Sequence, residues 1–171
     1  MAHGHILLYY RYKNKWDRML WKLLYKKRVV LGEGTIWRNR VVIHAMDHGR
    51  VSIGKNCFLN YGSTIFAKES VSIGDDTIMG ENVKIYDHNH RFNLEAQLIR
   101  EQGDITSPVK IGRNCWISSN VMILKGVTVG DNVVIGANCV ITEDIPSDHI
   151  VRLDSSNYVM EKIRKVRGND S

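Results

Sequence analysis

From residue 111 to 142 an aliphatic side chain returns every six positions, at Ile111, Ile117, Ile123, Val129, Ile135 and Ile141. Four places after each stand Cys115, Val121, Val127, Val133, Cys139 and Ile145. A helix repeats near 3.6 residues and a strand at two, so a rhythm of six needs a chain that turns a corner every six residues. Six is three strand periods. Each six then supplies one short strand whose first and fifth residues point inward, and three sides close a coil of 18 residues. Successive coils stack and pair their backbones, which predicts that Ile111 sits on Val129.

This architecture is a parallel β-helix of hexapeptide repeats. An antiparallel barrel would show alternating runs of variable length instead of one register. The frame continues upstream through Ile53, Leu59 and Ile65, then Ile73, Met79 and Ile85. The step of eight from Ile65 to Ile73 places a two-residue corner insertion in "AKES". The inward fifth positions here are Cys57, Ser63, Thr77 and Val83, so all three cysteines fall in one structural class, small and buried. They read as packing, because a catalytic thiolate needs exposure and a positive neighbour. The glycines of "IGK", "IGD", "IGR", "VGD" and "IGA" are expected to relax the backbone dihedrals at corners, with the following Asp or Asn completing a turn. Spacing alone leaves the handedness open, right-handed crossovers being the general rule.

The 171-residue chain suits one domain with small appendages, and 43% hydrophobic residues suffice for a core. Residues 1–28 hold eight of the 24 Lys/Arg and one of the 18 Asp/Glu. The basic character belongs to that segment, which argues against the whole chain being a nucleic-acid binder. No apolar run is long enough to span a bilayer and "HILLYY" is too short for a signal-peptide core, so a cytoplasmic protein is expected.

The rhythm breaks once, over "YDHNHRFNLEAQLIREQGDITSPVK" at 86–110. A long insertion in a compact repeat is usually functional. It opens with Asp87, His88, Asn89 and His90, and imidazole can take a proton near neutral pH. Asp87, His88 and His90, with His44 and His48, also form a conceivable metal set, but no metal is expected; a polar surface loop is the plain alternative. There is no G-x-S-x-G and no exposed thiol in the frame, so a covalent acyl intermediate has no evident carrier.

The repeat, the histidine loop and "GRNCWISSNVMILKGVTVGDNVVIGANCVITEDIP" resemble the left-handed β-helix acyltransferases, particularly the maltose/galactoside O-acetyltransferases and capsule and lipopolysaccharide O-acetyltransferases. The likeness covers about residues 50 to 146. It implies an acetyl-CoA-dependent O-acetyltransferase acting on a sugar hydroxyl in cell-surface polysaccharide synthesis. It further implies a homotrimer with the donor in a groove between subunits, and a loop histidine as general base in direct transfer. The family's histidine falls on His90, with His88 as the rival and Asp87 or a backbone carbonyl to orient the ring. The acceptor-holding asparagine falls on Asn60. On the donor side Trp116 lies by the cofactor, Ser119 and Ala137 match backbone contacts to the pantetheine arm, and Thr142 lies near the nucleotide end. Two departures stand out: Glu143 replaces a residue often basic in relatives, and "SDHIVRLDSSNYVMEKIRKV" replaces their usual turn, leaving Arg152, Lys162 and Arg164 as sources of positive charge. N-acetylation, a xenobiotic acceptor and a non-catalytic trimeric scaffold are the alternatives.

The expected fold is all-β: a basic amphipathic helix at 1–28, a hexapeptide-repeat β-helix at 29–146 with the loop 86–110 inserted, and a strand/helix tail at 147–171 whose short helix is capped by Ser155 or Ser156. In residues 29–52 the frame is insecure, with Val42 and Ile43 read as core. Within "KNKWDRMLWKLLYKK", Trp16, Met19, Leu20, Leu23 and Leu24 follow the i, i+3, i+4, i+7, i+8 pattern. That stripe is expected to pack on the β-helix or a neighbouring subunit; a membrane-surface contact is the sharper reading.

Overall fold

The computed structural model describes residues 2–154 and 158–162. Helix α1 (Ala2–Tyr25) comes first, then a three-sided parallel β-helix. The first coil holds β1 (Val29–Leu31), β2 (Ile36–Trp37) and β3 (Val42–Ala45). The second holds β4 (Arg50–Ile53), β5 (Phe58–Leu59) and β6 (Thr64–Ala67), and the third β7 (Ser70–Ile73), β8 (Ile78–Met79) and β9 (Lys84–Tyr86). A protruding hairpin follows, made of β10 (His88–His90) and β11 (Asp104–Thr106). The fourth coil is β12 (Val109–Ile111), β13 (Trp116–Ile117) and β14 (Met122–Ile123); the fifth is β15 (Thr128–Val129), β16 (Val134–Ile135) and β17 (Val140–Ile141). A partial sixth coil ends in β18 (His149–Leu153) and β19 (Tyr158–Lys162).

Three parallel sheets form the sides: β1-β4-β7-β12-β15 (side A), β2-β5-β8-β13-β16-β18 (side B) and β3-β6-β9-β14-β17 (side C). Ile111 stacks on Val129 and Ile117 on Ile135, as the spacing predicts. Every inward first and fifth residue named from the sequence is buried. The frame also reaches the first coil, where Trp37 pairs with Leu59 and Ile43 with Ile65. Val42, expected in the core, points outward at 38% exposure while Ile43 is 3% exposed. Strand alternation decides between neighbours, and Ile43 holds the inward register.

Four fifth-position side chains that carry a hydroxyl or thiol share one task. The hydroxyls of Thr35 and Thr77 donate to the Gly54 and Gly112 carbonyls at 2.6 and 3.0 Å, and the thiols of Cys57 and Cys115 point at the Gly74 and Gly130 carbonyls at 3.1 and 3.2 Å. Burial raises the pKa of all three cysteines above the ordinary thiol value, which keeps them protonated and inert.

The corner glycines work differently from expectation. A Cβ on Gly54 would lie 2.6 Å from the Asp75 nitrogen, and one on Gly112 would lie 2.5 Å from the Gly130 carbonyl oxygen. They are small because the next coil's backbone passes there. The left-handed conformation falls two residues later, on Asn56, Asp76, Asn114 and Asn132 (φ 52–59°), and at the next corner on Asn82, Asn120 and Asn138 (φ 55–63°). Asn tolerates that region better than other non-glycine residues. Its side chains also stack into ladders, Asn82 to Asn120 to Asn138 at 3.3 and 3.2 Å.

Both ends of side B are covered. At the first coil α1 lies across β1 and β2. Ile36 and Arg38 donate onward to the Cys57 and Leu59 carbonyls of the second coil. Trp37, between them, presents its N–H and C=O the opposite way, where no coil exists. The Asn14 amide takes both at 2.9 Å, acting as one residue of a missing strand, and Arg18 donates to the Leu31, Gly32 and Thr35 carbonyls. At the far end β19 pairs antiparallel with β18. A strand followed by a short helix was expected in this tail. Its residues 158–162 are instead a strand, because the exposed edge of β18 offers a ladder of backbone partners that outweighs local helix propensity. The proposed caps Ser155 and Ser156, and Arg164, lie outside the described residues. No described helix is long and apolar enough to cross a membrane.

Candidate functional site

The hairpin β10–β11 leaves the corner between sides C and A at the third coil. Its register sets His88 opposite Thr106 and His90 opposite Asp104. The two histidines share a strand at i and i+2 yet differ completely in surroundings. His88 is half-buried against Phe66, ring centroids 5.2 Å apart, with Nδ1 3.0 Å from Asp87 Oδ1. His90 has 76% of its side chain exposed, with Nδ1 3.1 Å from Asp104 Oδ1. The approach is one of charge without hydrogen-bond geometry, and most of the ring lies in solvent.

Asp87 and Asp104 are both anchored. Asp87 is fully buried and accepts the Lys68 N–H with both oxygens (2.9 and 3.1 Å) and the Glu69 N–H at 2.8 Å. It therefore satisfies the backbone of the "AKES" insertion as well as holding His88. The sequence offered Asp87 as the orienter of His90; the structure sets it on His88. Asp104 is paired with the Lys68 ammonium, and that hydrogen bond holds its carboxyl below the ordinary range, against the opposing effect of burial. Asp104 Oδ1 is buried and takes no hydrogen bond, its separation from His90 notwithstanding. Sequence reasoning missed Asp104. It stands 14 residues from His90, and only the hairpin register brings the two together.

The loop tip is built on Gln102, which accepts from the Leu94 N–H at 2.9 Å and donates to the Gln97 carbonyl at 2.8 Å. The tip exposes Phe92, Leu98 and Ile99.

The other expected residues lie elsewhere on the prism. Asn60 follows β5 at the corner between sides B and C, where its Oδ1 accepts the Tyr61 N–H at 2.9 Å. Trp116 stands on side B, 53% exposed, between Ile78 and Val134 of the adjoining coils. These three line a cleft of about 380 Å³ with Asn114 and Asn132. Ser119 and Ala137 sit at the same B–C corner as Asn60, two and three coils further on; Ser119 Oγ accepts the Glu81 N–H at 3.2 Å. Thr142 and Glu143 are exposed after β17. Arg152 is bound to Glu161 at 3.0 Å. Side C separates the Asn60 corner from the histidine corner, so one chain does not gather the set. His44 packs at a tilt against Phe66, ring centroids 5.0 Å apart, in an aromatic row on side C. Among the described residues no group of three or more His, Cys, Asp or Glu is placed to hold a metal ion.

A larger cleft of about 610 Å³ lies under α1, among Tyr10, Trp37, Arg38 and Phe58. It is remote from the histidines and belongs to the helix packing.

Two repeat families match the chain: bacterial transferase hexapeptide (six repeats) over residues 108–143, and hexapeptide repeat of succinyl-transferase over 50–86. A galactoside O-acetyltransferase of Escherichia coli (strain K12) is 41% identical over 97 residues, 56% of this chain and 46% of its own. The chain spans about half the length of the first curated relatives it matches. Among solved structures, a galactoside acetyltransferase in complex with coenzyme A superposes with a TM-score of 0.64 at 29% identity, over 87% of this chain and 71% of that one. A maltose O-acetyltransferase from Clostridium difficile 630 superposes with a TM-score of 0.57 at 32% identity, over 81% of this chain and 68% of that one. The chain belongs to the hexapeptide-repeat acyltransferase family.

Proposed function

We propose that this protein transfers an acetyl group from acetyl-CoA to a sugar hydroxyl, with His90 as general base. The observation that carries this reading is the His90 ring, 76% exposed, with the Lys68-anchored Asp104 carboxylate 3.1 Å from its Nδ1. Nε2 takes the proton of the acceptor hydroxyl as its oxygen bonds to the thioester carbonyl carbon. The carbonyl electrons return from the oxyanion, the C–S bond breaks, and the His90 proton passes to the departing thiolate. The products are the acetyl ester and the free thiol of CoA. Direct transfer fits a protein whose three cysteines are buried and protonated. The Asp104 carboxylate, 3.1 Å from Nδ1, favours by its charge the ring that has taken up the proton, and His88, locked by Asp87 against Phe66, acts as a positioning residue for the strand.

The acceptor belongs near Asn60 and the donor along Trp116, with Ser119 and Ala137 offering backbone groups to the pantetheine arm and Thr142 near its nucleotide end. The apolar cleft of Ile78, Trp116 and Val134 suits that arm. Because Asn60 and Trp116 lie on a different edge from His90, a complete site needs a second copy, and a closed trimer gives each copy one site. The exposed Phe92, Leu98 and Ile99 suit burial against that neighbour. A glycan acceptor of the cell surface and a cytoplasmic site of reaction, where acetyl-CoA is held, complete the reading.

The test is release of CoA thiol from acetyl-CoA in the presence of a panel of sugars, with light scattering for the mass of the assembly. Sugar-dependent thiol release from a trimer is expected. Release from none of the sugars, or full activity in His90→Ala, would overturn it.

A further inference from the structure

The helix turns its back on the expectation. The stripe Trp16, Met19, Leu20, Leu23 and Leu24, read from the sequence as the packing face, is 50–74% exposed. The face laid on the β-helix consists of Tyr10, Asn14, Asp17, Arg18, Trp21 and Tyr25. Asn14 and Arg18 satisfy backbone groups, Asp17 accepts from the Trp37 indole at 2.9 Å, and Trp21 stacks on Trp37 at 4.9 Å. Packing on the body of its own chain is thereby excluded for the stripe. Five large apolar side chains remain in water, with Tyr9 and Tyr12, 54% and 62% exposed, continuing them by one turn.

The charge around this stripe names its partner. Lys15 and Lys22, spaced by seven, are exposed along one flank of α1, and the exposed Lys26 and Lys27 follow its far end. The one acid of the segment, Asp17, is turned to the β-helix side and engaged by Lys13 and Trp37. A second copy of this helix set against the stripe would bring like charges together. An anionic bilayer accepts both features: Leu and Met enter the acyl boundary, Trp and Tyr rings sit at headgroup depth, and lysines meet lipid phosphates. We infer that the outer face of α1 lies in the surface of an anionic membrane, holding the β-helix against it without crossing it. The inference stands independently of acetyl transfer.

The experiment is cosedimentation of the full chain with vesicles of phosphatidylcholine alone, or mixed in equal parts with phosphatidylglycerol. Leu20→Gln/Leu23→Gln removes the stripe while keeping helix propensity. Lys15→Gln/Lys22→Gln removes the flank. Wild type should pellet with the anionic vesicles at low salt. The leucine variant should bind at least about tenfold more weakly, given the apolar area withdrawn, with its melting temperature unchanged. The lysine variant should lose the preference for anionic over neutral vesicles. Wild type remaining in the supernatant would overturn the inference, and so would leucine-variant binding equal to wild type. A leucine variant that falls apart into smaller assemblies by light scattering would assign the stripe to a second copy and overturn it equally.

Discussion

The β-helix body and α1 bury opposite kinds of residue. In the body the aliphatic side chains point in, and the backbone is satisfied by the coils on either side. In α1 the inner face is Asn14, Asp17 and Arg18 with three aromatics, while the leucines point out. The reason is positional. A middle coil has neighbours above and below; the first coil lacks one, so Trp37 and the carbonyls of Leu31, Gly32 and Thr35 face a gap. Buried backbone groups left unpaired cost more than apolar contacts at that spot would return. A terminal element must therefore supply donors and acceptors, and amphipathicity tells which residues share a face without telling which face is inward.

The largest effect that sharpens this contrast lies in the hairpin, where neither backbone capping nor core packing is at issue. His90→Ala should lower kcat by about 10²–10⁴-fold, as expected for a lost general base, with the melting temperature unchanged. Asp104→Asn should lower it less, and with it the stability difference between neutral and acid pH. A carboxyl whose folded pKa is depressed adds stability above its unfolded value, near 3.9, and that stability is lost as the pH falls through the lower folded value. Steady-state rates with paired melting curves check both. A His90 variant that melts earlier but turns over normally would move this residue from chemistry to structure.

In the body the next largest effect is Ile117→Ala, which should cost about 2–5 kcal/mol in urea unfolding, because Ile117 is fully buried between coils. Asn14→Ala should cost about 1–3 kcal/mol by stranding the Trp37 N–H and C=O. Leu23→Ala, on the outer face, should be near neutral in the same assay. If Leu23→Ala destabilises more than Asn14→Ala, the reversed helix is wrong.

The body was legible because each coil repeats the same local problem. Ile117, Cys115 and Thr77 are placed by arithmetic on six, and the "AKES" insertion shows as a skipped count. What escaped depends on contacts that the count does not carry. Asp104 reaches His90 only through a hairpin register, and Asn14 reaches Trp37 only because the first coil has an open edge. The strand at 158–162 follows from the same open-edge logic at the other end. The glycines were located correctly and explained wrongly: their smallness serves the approach of the next coil, and the left-handed turn belongs to Asn and Asp.

That division of labour at the corners gives the smallest and most specific prediction. Asn120 has φ 60° and joins Asn82 and Asn138 in the side-chain ladder. Asn120→Gly loses the ladder but keeps the conformation, so it should cost roughly 1 kcal/mol, the scale of two exposed hydrogen bonds. Asn120→Ala loses the ladder and forces a Cβ into the left-handed region, adding about 1 kcal/mol. Gly should therefore be the milder substitution here, the reverse of Gly112, where φ is ordinary and any Cβ meets the Gly130 carbonyl. Equal costs for Gly and Ala at position 120 in urea unfolding would mean that the ladder, and not the backbone angle, selects asparagine at these corners.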